Sequence, residues 1–371
     1  MTATSSSHVE LPATMRAWVF DKIRNGLENA LTLDASFPIP ESFKNLVQPK
    51  AKADRGFVLV RVLAASVNPA DYKLPELPIV GGLTPKRPAI PSMDFCGRVV
   101  NSTDPQFTNG QLVAGKTANF SQHGTLAEYT VAPAGLCANV PEGVSAEQAA
   151  TIGVCGATAW TAVVPYIKKI KSGVAANQTT AVDKPRVFIN GGSGGVGCFA
   201  IALAKEMGCH VTTTCSAGNA DLVRKMGADD VIDYRSENVT EALILRATTT
   251  PGLPFDLAID TAGLDFDLYK AGDKFLAPHG SFVQVAFKSF ASSLSVGLRP
   301  SFLGGGQRSA PAIMTQVTPE TFTGLLELMA AGKLTVPIEE AIPFEEAPRA
   351  YTQLKTHRTR GKVVVTIPDD N

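Results

Sequence analysis

The segment RVFINGGSGGVGCFAIALAKEMG, residues 186–208, constrains the fold of this chain more than any other. An apolar strand pattern over residues 186–190 runs into a cluster of glycines, and an apolar helical pattern follows from Val196 to a stop at Gly208. Glycine lets the backbone approach a phosphate closely, and a helix N-terminus offers free N–H groups and the positive end of its dipole. Because the Gly-x-Gly-x-x-Gly pattern here follows a strand and opens a helix, it predicts a dinucleotide site.

The regions on either side of residue 145 have different textures. After the glycines, the apolar strand patterns HVTTTC, VIDY, FDLAIDTA and SFVQVAF alternate with helical ones, which predicts a parallel, doubly wound α/β sheet. Before residue 145, short runs such as FVLVRVLAASV and FCGRVV lie among Pro and Gly and predict a β-rich antiparallel domain. Ser145 with Glu147 and Gln148 is typical of a helix N-cap. The closing pattern GKVVVTI predicts a strand that returns to the first domain.

These textures predict a disordered tail at residues 1–14, a β-rich domain from 15–149 and 312–371, and a nucleotide domain at 150–311. Residues 168–185 are predicted to form an exposed loop. Lys plus Arg equals Asp plus Glu at 34 each, which argues against a nucleic-acid surface or a basic membrane patch. The chain shows no apolar run of membrane-spanning length and no secretory or mitochondrial leader pattern. We therefore expect a cytoplasmic protein whose six scattered cysteines are buried and reduced.

The end of the second nucleotide-domain strand bears on the choice of dinucleotide. NAD-dependent enzymes place Asp or Glu there, about 20 residues past the glycines, to bind the ribose 2′-hydroxyl. This chain has Cys-Ser-Ala-Gly-Asn at 215–219, with no carboxylate to repel a 2′-phosphate and with Ser216 and Asn219 as donors. The sequence therefore predicts NADPH rather than NADH. Because no Arg stands in that loop, a guanidinium clamp would have to come from elsewhere.

The runs GGSGGVG, AKEMGCHVTTTCSAGN and GADDVIDY resemble the quinone oxidoreductase-like branch of the medium-chain dehydrogenase/reductases. The chain is also similar to enone and alkenal reductases and to the trans-acting enoyl reductases of fungal polyketide synthesis. SVNPADYK at 66–73, GTLAEY, AATIGVCGATAW and the terminal RGKVVV fall in family order, so the resemblance covers nearly the whole chain. It implies a GroES-like β-rich domain plus a Rossmann domain, with the cofactor in the cleft between them.

The resemblance also implies roles for individual cofactor residues. The glycine run would hold the pyrophosphate, the residues after the second and third strands would surround the adenosine ribose and 2′-phosphate, and the remaining ones would line the nicotinamide. An ordinary helix residue at Thr158 and a surface aromatic at Tyr234 remain the alternatives. The residues concerned are Thr158, Gly192, Ser193, Gly194, Gly195, Val196, Gly197, Ser216, Asn219, Tyr234, Thr261, Ala262 and Val285.

The resemblance further implies chemistry without zinc. Zinc alcohol dehydrogenases of this superfamily carry Cys where this chain has Asn68 and His where it has Met93, and catalytic zinc needs three protein ligands. Hydride addition to an activated C=C bond or a quinone then becomes the expected reaction. Lys73 is the predicted donor to the developing oxyanion, with Asn68 and Tyr72 beside it in the same loop. Alternatively, Lys73 pairs within the loop, Asn68 fixes a turn, and solvent supplies the proton.

The apolar segment 289–311 predicts either a pocket for a hydrophobic or acyl substrate or the edge of a homodimer. Three functions remain open on sequence alone. The first is a stand-alone NADPH-dependent enone or quinone reductase, and the second is a trans-acting enoyl reductase that works with a polyketide synthase on a carrier-bound substrate. The third is a non-catalytic NADPH-binding structural protein, against which the intact glycine run and Lys73 weigh.

Overall fold

A computed structural model describes residues 11–40, 56–76, 87–119, 121–173, 184–249, 253–263, 266–285 and 315–369. Two sheets and a short ribbon organise this part of the chain. The ribbon pairs β1 (Thr14–Val19) with β2 (Thr32–Pro38) in antiparallel fashion. The predicted α/β fold class, with one β-rich domain and one doubly wound domain, is confirmed.

The larger sheet has seven strands and is mostly antiparallel. Its path is β13-β14-β3-β4-β5-β7, and β6 also pairs with β3. The last two strands of the chain lie in it because β14 pairs with β3, Val363 opposite Val67, so the predicted return of the C-terminus to the first domain is observed. The strands are β3 (Phe57–Val67), β4 (Asp94–Ser102), β5 (Leu112–Lys116), β6 (Tyr129–Pro133), β7 (Cys137–Asn139), β13 (Ile338–Pro343) and β14 (Lys362–Thr366).

The second sheet has five parallel strands in the order β10-β9-β8-β11-β12. The central strand β11 is buried along its whole length, as expected for a sheet covered by helices on both faces. Because parallel strands end at one edge, the segments that follow them meet there, which is where ligands bind in such sheets. The strands are β8 (Arg186–Asn190), β9 (His210–Cys215), β10 (Asp230–Asp233), β11 (Phe255–Asp260) and β12 (Leu276–Gln284).

The helices lie between and over these strands. One buried apolar cluster includes residues of α3, α4, α9 and the parallel sheet. The absence of a side chain at Gly156 permits this packing, since a Cβ there would lie 2.9 Å from Leu325 and 3.3 Å from Phe199. The helices are α1 (Pro69–Glu76), α2 (Ala146–Ala149), α3 (Val154–Lys171), α4 (Gly195–Glu206), α5 (Ala220–Lys225), α6 (Val239–Thr249), α7 (Phe266–Lys270), α8 (Gly272–Phe275), α9 (Pro319–Ala330) and α10 (Pro348–Lys355).

Local predictions held with one exception. Ser145 caps α2, since its side chain accepts a hydrogen bond from Gln148 N, and all six cysteines are buried and unpaired. The predicted loop at 168–185 was wrong at its start, because α3 continues to Lys171 with Ile170 buried against its neighbours. Residues 174–183 of that loop, residues 1–10 of the predicted tail and the segment 289–311 lie outside the described residues.

No single helix in the described part of the chain has the length and apolar character needed to span a membrane. The helical pair 146–152 and 154–171 meets the criteria together, with a bend of 54°. Most of its apolar side chains belong to the buried cluster, as expected for core helices of a folded domain.

Candidate cofactor and substrate site

The glycine run forms the turn between β8 and α4. Gly191 has φ of 87°, in the left-handed region that favours glycine. Its N–H donates to Thr214 Oγ1 over 2.8 Å, and the N–H of Gly192 donates to Thr214 O over 2.9 Å. These bonds fix the turn against the neighbouring strand β9.

The glycines of this turn are required for two different reasons. A Cβ at Gly192 would lie 2.1 Å from Thr213 Oγ1, and one at Gly197 would lie 2.2 Å from Gly191 O, so packing requires glycine at both. At Gly194 the nearest atom would be Gly191 O at 3.6 Å, an ordinary contact. Gly194 is the N-cap of α4 and has no side-chain cap. An open, uncapped helix N-terminus of this kind fits a phosphate group.

A cavity of about 510 Å³ lies at the carboxyl edge of the parallel sheet. It extends from the glycine turn past the ends of three strands, and Tyr234, which is 53% exposed, forms part of its wall. Glu237 also lines it and brings a carboxylate to this region. The volume and position suit the adenosine half of a dinucleotide. Other lining residues are Asn190, Gly191, Thr214, Ala262 and Gly263.

The predicted ribose and 2′-phosphate residues come together beside this cavity. In the sheet register Asp233 lies opposite Cys215, so Tyr234 and Ser216 leave neighbouring strands side by side. Asn219 follows in a short 3-10 turn, and its Nδ2 donates to Ser193 Oγ over 3.2 Å. Sequence-distant donors thus converge next to the glycine turn.

The predicted nicotinamide residues lie at the ends of β11 and β12 and on α3. Thr261 Oγ1 donates to Asn190 O over 2.7 Å, which holds the end of β11 against the glycine turn, and Ala262 follows it. Val285 follows β12, with its N–H bonded to Asp260 O. Thr158 is buried in α3, and its Oγ1 lies 2.8 Å from Thr315 Oγ1, a partner that the sequence did not indicate.

Asn68, a predicted catalytic residue, is the centre of a buried polar network and makes all its side-chain bonds inside the protein. Its Nδ2 donates to Asp94 Oδ2 over 2.9 Å, and its Oδ1 accepts from Lys362 Nζ over 2.5 Å and from Cys155 Sγ over 3.2 Å. Asp94 Oδ1 in turn accepts from Val154 N at the start of α3 over 2.8 Å. These contacts make Asn68 a structural junction between four segments of the chain.

Lys362 is the residue of this network that sequence reasoning missed. It is 2% exposed, and its ammonium lies 3.2 Å from Val67 O, 3.5 Å from Asp94 Oδ2 and 3.6 Å from Cys155 Sγ. Burial lowers the pKa of this ammonium, but Cys155 and Asp94 raise it more, so the pKa lies above its ordinary value. A signal was present, since a lysine opening the otherwise apolar strand KVVV is an unusual buried position.

The same network touches the cofactor turn. A Cβ at Gly195 would lie 2.8 Å from Cys155 Sγ and 3.3 Å from Lys362 Cδ. Gly361, next to Lys362, donates its N–H to Ser193 O over 2.9 Å. Within the described residues no group of three or more His, Cys, Asp or Glu side chains could hold a metal ion.

Lys73 and Tyr72, the other predicted catalytic residues, point to different surroundings. Lys73 is exposed on α1 and lines neither cavity described for this site. Tyr72 is buried, and its ring packs under the ammonium of Lys355 at 5.0 Å. That ammonium also pairs with Glu28 and Glu76, so Tyr72 belongs to a salt-bridge cluster. The structure therefore does not bring Lys73 and Tyr72 to one site with Asn68.

A second cavity, of about 60 Å³, lies in the first domain beside α1. Its wall is largely apolar and includes Phe20, Leu74, Ile90 and Met93. Asp71 lines it too, and Asp71 Oδ2 accepts from Asn68 N over 2.7 Å. Burial raises the pKa of Asp71 to about 8, and the nearby carboxylate of Asp94 adds to the rise.

The chain matches two family models. The alcohol dehydrogenase GroES-like domain matches residues 54–142, and the zinc-binding dehydrogenase domain matches residues 226–365. Trans-enoyl reductase pgmF of Aspergillus terreus is 37% identical, over 97% of this chain and 98% of that protein. The chloroplastic quinone-oxidoreductase QR1 of Triphysaria versicolor is 30% identical, over 87% of this chain and 93% of that protein.

A third relative and a solved structure agree with these matches. The mitochondrial NAD(P)H oxidoreductase RTN4IP1 of Danio rerio is 30% identical, over 96% of this chain and 92% of that protein. The structure of the quinone oxidoreductase from Coxiella burnetii aligns with a TM-score of 0.72 at 26% identity, covering 95% of this chain and 99% of that one. The two-domain fold, the glycine turn and these relatives together show that the chain is an oxidoreductase of the medium-chain dehydrogenase/reductase superfamily, in its quinone oxidoreductase-like and enoyl reductase branch.

Proposed function

We propose that this protein is an NADPH-dependent reductase of activated C=C bonds in α,β-unsaturated carbonyl compounds, or of quinones. The observation that carries the proposal is the open N-terminus of α4 at Gly194, which adjoins a cavity of nucleotide size at the carboxyl edge of the sheet. The relative named as an NAD(P)H oxidoreductase supports a nicotinamide cofactor.

When bound, NADPH supplies a hydride from its nicotinamide ring. The protein's share of the work is to bind and orient. The free N–H groups at the start of α4 would hold the pyrophosphate, while Thr261, Ala262 and Val285 at the strand ends would flank the nicotinamide. Thr158 would contact the carboxamide from α3. Asn68, Asp94 and Lys362 would keep the first domain in register with the turn.

The preference for NADPH over NADH rests on the loop after β9. Ser216 and Asn219 offer donors for a 2′-phosphate, and Asn219 is already oriented by its bond to Ser193. Arg235, which sequence reasoning missed, follows Tyr234 with its guanidinium 5.8 Å from that ring and is exposed, so it is a candidate cation for the phosphate. Glu237 opposes this preference, because a carboxylate in the same cavity disfavours added negative charge.

A second candidate is a trans-acting enoyl reductase that reduces an acyl group carried by a polyketide synthase. The relative named trans-enoyl reductase favours it, at 37% identity over nearly the full length of both proteins. The predicted homodimer edge and acyl pocket fall in segment 289–311, outside the described residues, and stay predictions, as does the cytoplasmic location.

The test is consumption of NADPH and of NADH with a panel of linear enones, quinones and enoyl thioesters of a pantetheine carrier mimic. A saturated ketone formed with NADPH at least about tenfold faster than with NADH supports the first candidate. Turnover of the thioesters alone supports the second. Failure to bind NADPH at all would contradict both and would favour neither a free nor a carrier-bound substrate.

A further inference from the structure

Two buried polar side chains without hydrogen-bond partners line the small cavity of the first domain. Asp71 is 6% exposed and Thr117 is 0% exposed. Neither Asp71 Oδ1 nor Thr117 Oγ1 has a hydrogen-bond partner among the described residues, and both residues line the 60 Å³ cavity. Because buried polar atoms are normally hydrogen-bonded, two orphaned ones facing one cavity indicate a ligand with a matching polar atom.

The shape and polarity of the cavity limit what that ligand can be. Apart from these two atoms, much of the wall is apolar, with Phe20, Ile90 and Met93 among its residues. A volume of 60 Å³ holds only a few waters or one small functional group, since a water needs roughly 10–15 Å³ on this measure. The cavity therefore suits a small apolar group that carries one oxygen.

The protonation state of Asp71 decides whether it donates or accepts. The charged groups that act on it are Asp94, Lys116 and Lys362, and the hydroxyl of Tyr351 is buried nearby. Lys362 pairs with Asp94, while Lys116 donates to Thr117 O and Asn119 Oδ1, so both ammonium groups have other partners. Burial raises the pKa of Asp71 to about 8, which leaves the carboxyl protonated at neutral pH. Because Oδ2 already accepts from Asn68 N, Oδ1 is free to carry the proton and donate it.

We propose that Asp71 and Thr117 form a carbonyl-binding pair, in which the carboxyl and the hydroxyl both donate to the oxygen of a small α,β-unsaturated ketone or aldehyde. The inference rests on the proposed function and names the substrate group that the site takes. When hydride adds to the β-carbon with its electron pair, the π electrons of the C=C bond move toward the carbonyl oxygen and form an enolate. Two neutral donors stabilise that charge, and water then supplies the proton to the α-carbon.

The pair is close to the cofactor turn through a short chain of contacts. Asp71 binds Asn68 N, Asn68 Oδ1 accepts from Cys155 Sγ, and that sulfur would contact any side chain at Gly195. The exposed position of Lys73 and its absence from both cavity walls also favour Asp71 over Lys73 as the donor to the oxyanion.

Three variants test the pair in the intact protein. Thr117→Val removes one donor without changing the shape, and Asp71→Asn keeps an acceptor for Asn68 N but does not titrate. Thr125→Val is the matched control, because Thr125 is equally buried with an unpartnered Oγ1 but does not line the cavity. The probe substrate is pent-3-en-2-one with NADPH.

We expect Thr117→Val to lower kcat/KM about 10- to 100-fold, the usual range for losing one oxyanion donor or somewhat below it. The wild-type kcat/KM should fall above pH 8 as Asp71 ionises, and Asp71→Asn should lose that fall. Thr125→Val should match the wild type at every pH. Wild-type turnover that neither the Asp71 nor the Thr117 substitution alters would overturn the pair.

A binding measurement separates this inference from the proposed function. Pentan-2-one labelled with ¹³C at the carbonyl should show a downfield shift on binding, smaller in Thr117→Val and lost above pH 8 in the wild type only. That shift without enone turnover by the wild type would reject the proposed function and retain the carbonyl site. Turnover without any such shift would show that the cavity holds water alone, and the pair would be rejected.

Discussion

The glycine turn and the network around Asn68 lie against each other, yet they use polar groups in opposite ways. The turn leaves backbone N–H groups open at an uncapped helix N-terminus, beside a large cavity. The network keeps every polar atom of Asn68 engaged and holds the ammonium of Lys362 almost fully out of solvent. The open groups are available to a ligand, whereas the closed ones fix the position of the first domain relative to the turn.

The two regions also differ in how they are built. The turn comes from one contiguous segment, whereas the network joins residues from β4, α3, β14 and the loop after β3. We therefore expect substitutions in the network to change stability first, and substitutions on the open side of the turn to change cofactor affinity first.

The largest expected effect is that of Lys362→Met. Removal of the ammonium leaves Asp94, which is fully buried, without its cation, and breaking a buried ion pair in this way costs about 3–5 kcal/mol of the free energy of unfolding. The double variant Lys362→Met with Asp94→Asn should recover part of that loss. Urea denaturation at pH 7 measures both.

Lys333→Met is the control for the loss of a lysine ion pair. Lys333 pairs with Glu206 at the surface, where both side chains are partly exposed, so the expected cost is at most about 1 kcal/mol. Equal losses for Lys362→Met and Lys333→Met would contradict the stabilising role of the buried network.

The next effect in size separates the two kinds of glycine in the turn. Gly197→Ala should lower the free energy of unfolding by about 1–3 kcal/mol, since the new Cβ meets backbone atoms at 2.2 Å. Gly194→Ala should leave the melting temperature nearly unchanged but weaken NADPH binding about tenfold, or about 1.4 kcal/mol, because its methyl group enters ligand space. Thermal unfolding and NADPH fluorescence titration measure the two effects. A Gly194→Ala protein with wild-type affinity would show that the phosphate does not bind here.

The smallest effect is a pH dependence of stability from Asp71. Its pKa is about 8 in the folded protein and near 3.8 when unfolded, so between these values the folded state holds a proton that the unfolded state has released. The free energy of unfolding therefore falls as pH rises through this window, by on the order of 1 kcal/mol between pH 7 and pH 8, and levels off above. Asp71→Asn should lack this component, whereas Asp104→Asn, at another buried aspartate of the domain, should keep it. Identical slopes in the wild type and in Asp71→Asn would mean that Asp71 ionises normally.

The sequence predicted the turn well and the network poorly, for a physical reason. Arg186–Asn190, the glycines and His210–Cys215 form a local pattern whose periodicity and turn chemistry are written in one stretch of chain. Asn68, Cys155 and Lys362 meet only in the folded protein, and Asn68 was predicted as catalytic because its surroundings were unknown. Thr117 carried no signal at all, because its significance lies in an unpartnered hydroxyl that only the packing reveals.

The most direct test of the central claim is hydride tracing. The protein is incubated with pent-3-en-2-one and NADPH deuterated at the nicotinamide C4, separately on each face, and the product is analysed by mass spectrometry and NMR. The account predicts a saturated ketone with one deuterium on the β-carbon from one of the two labelled forms, and a proton from water on the α-carbon. An allylic alcohol with deuterium on the carbinol carbon would instead show carbonyl reduction and would contradict the claim.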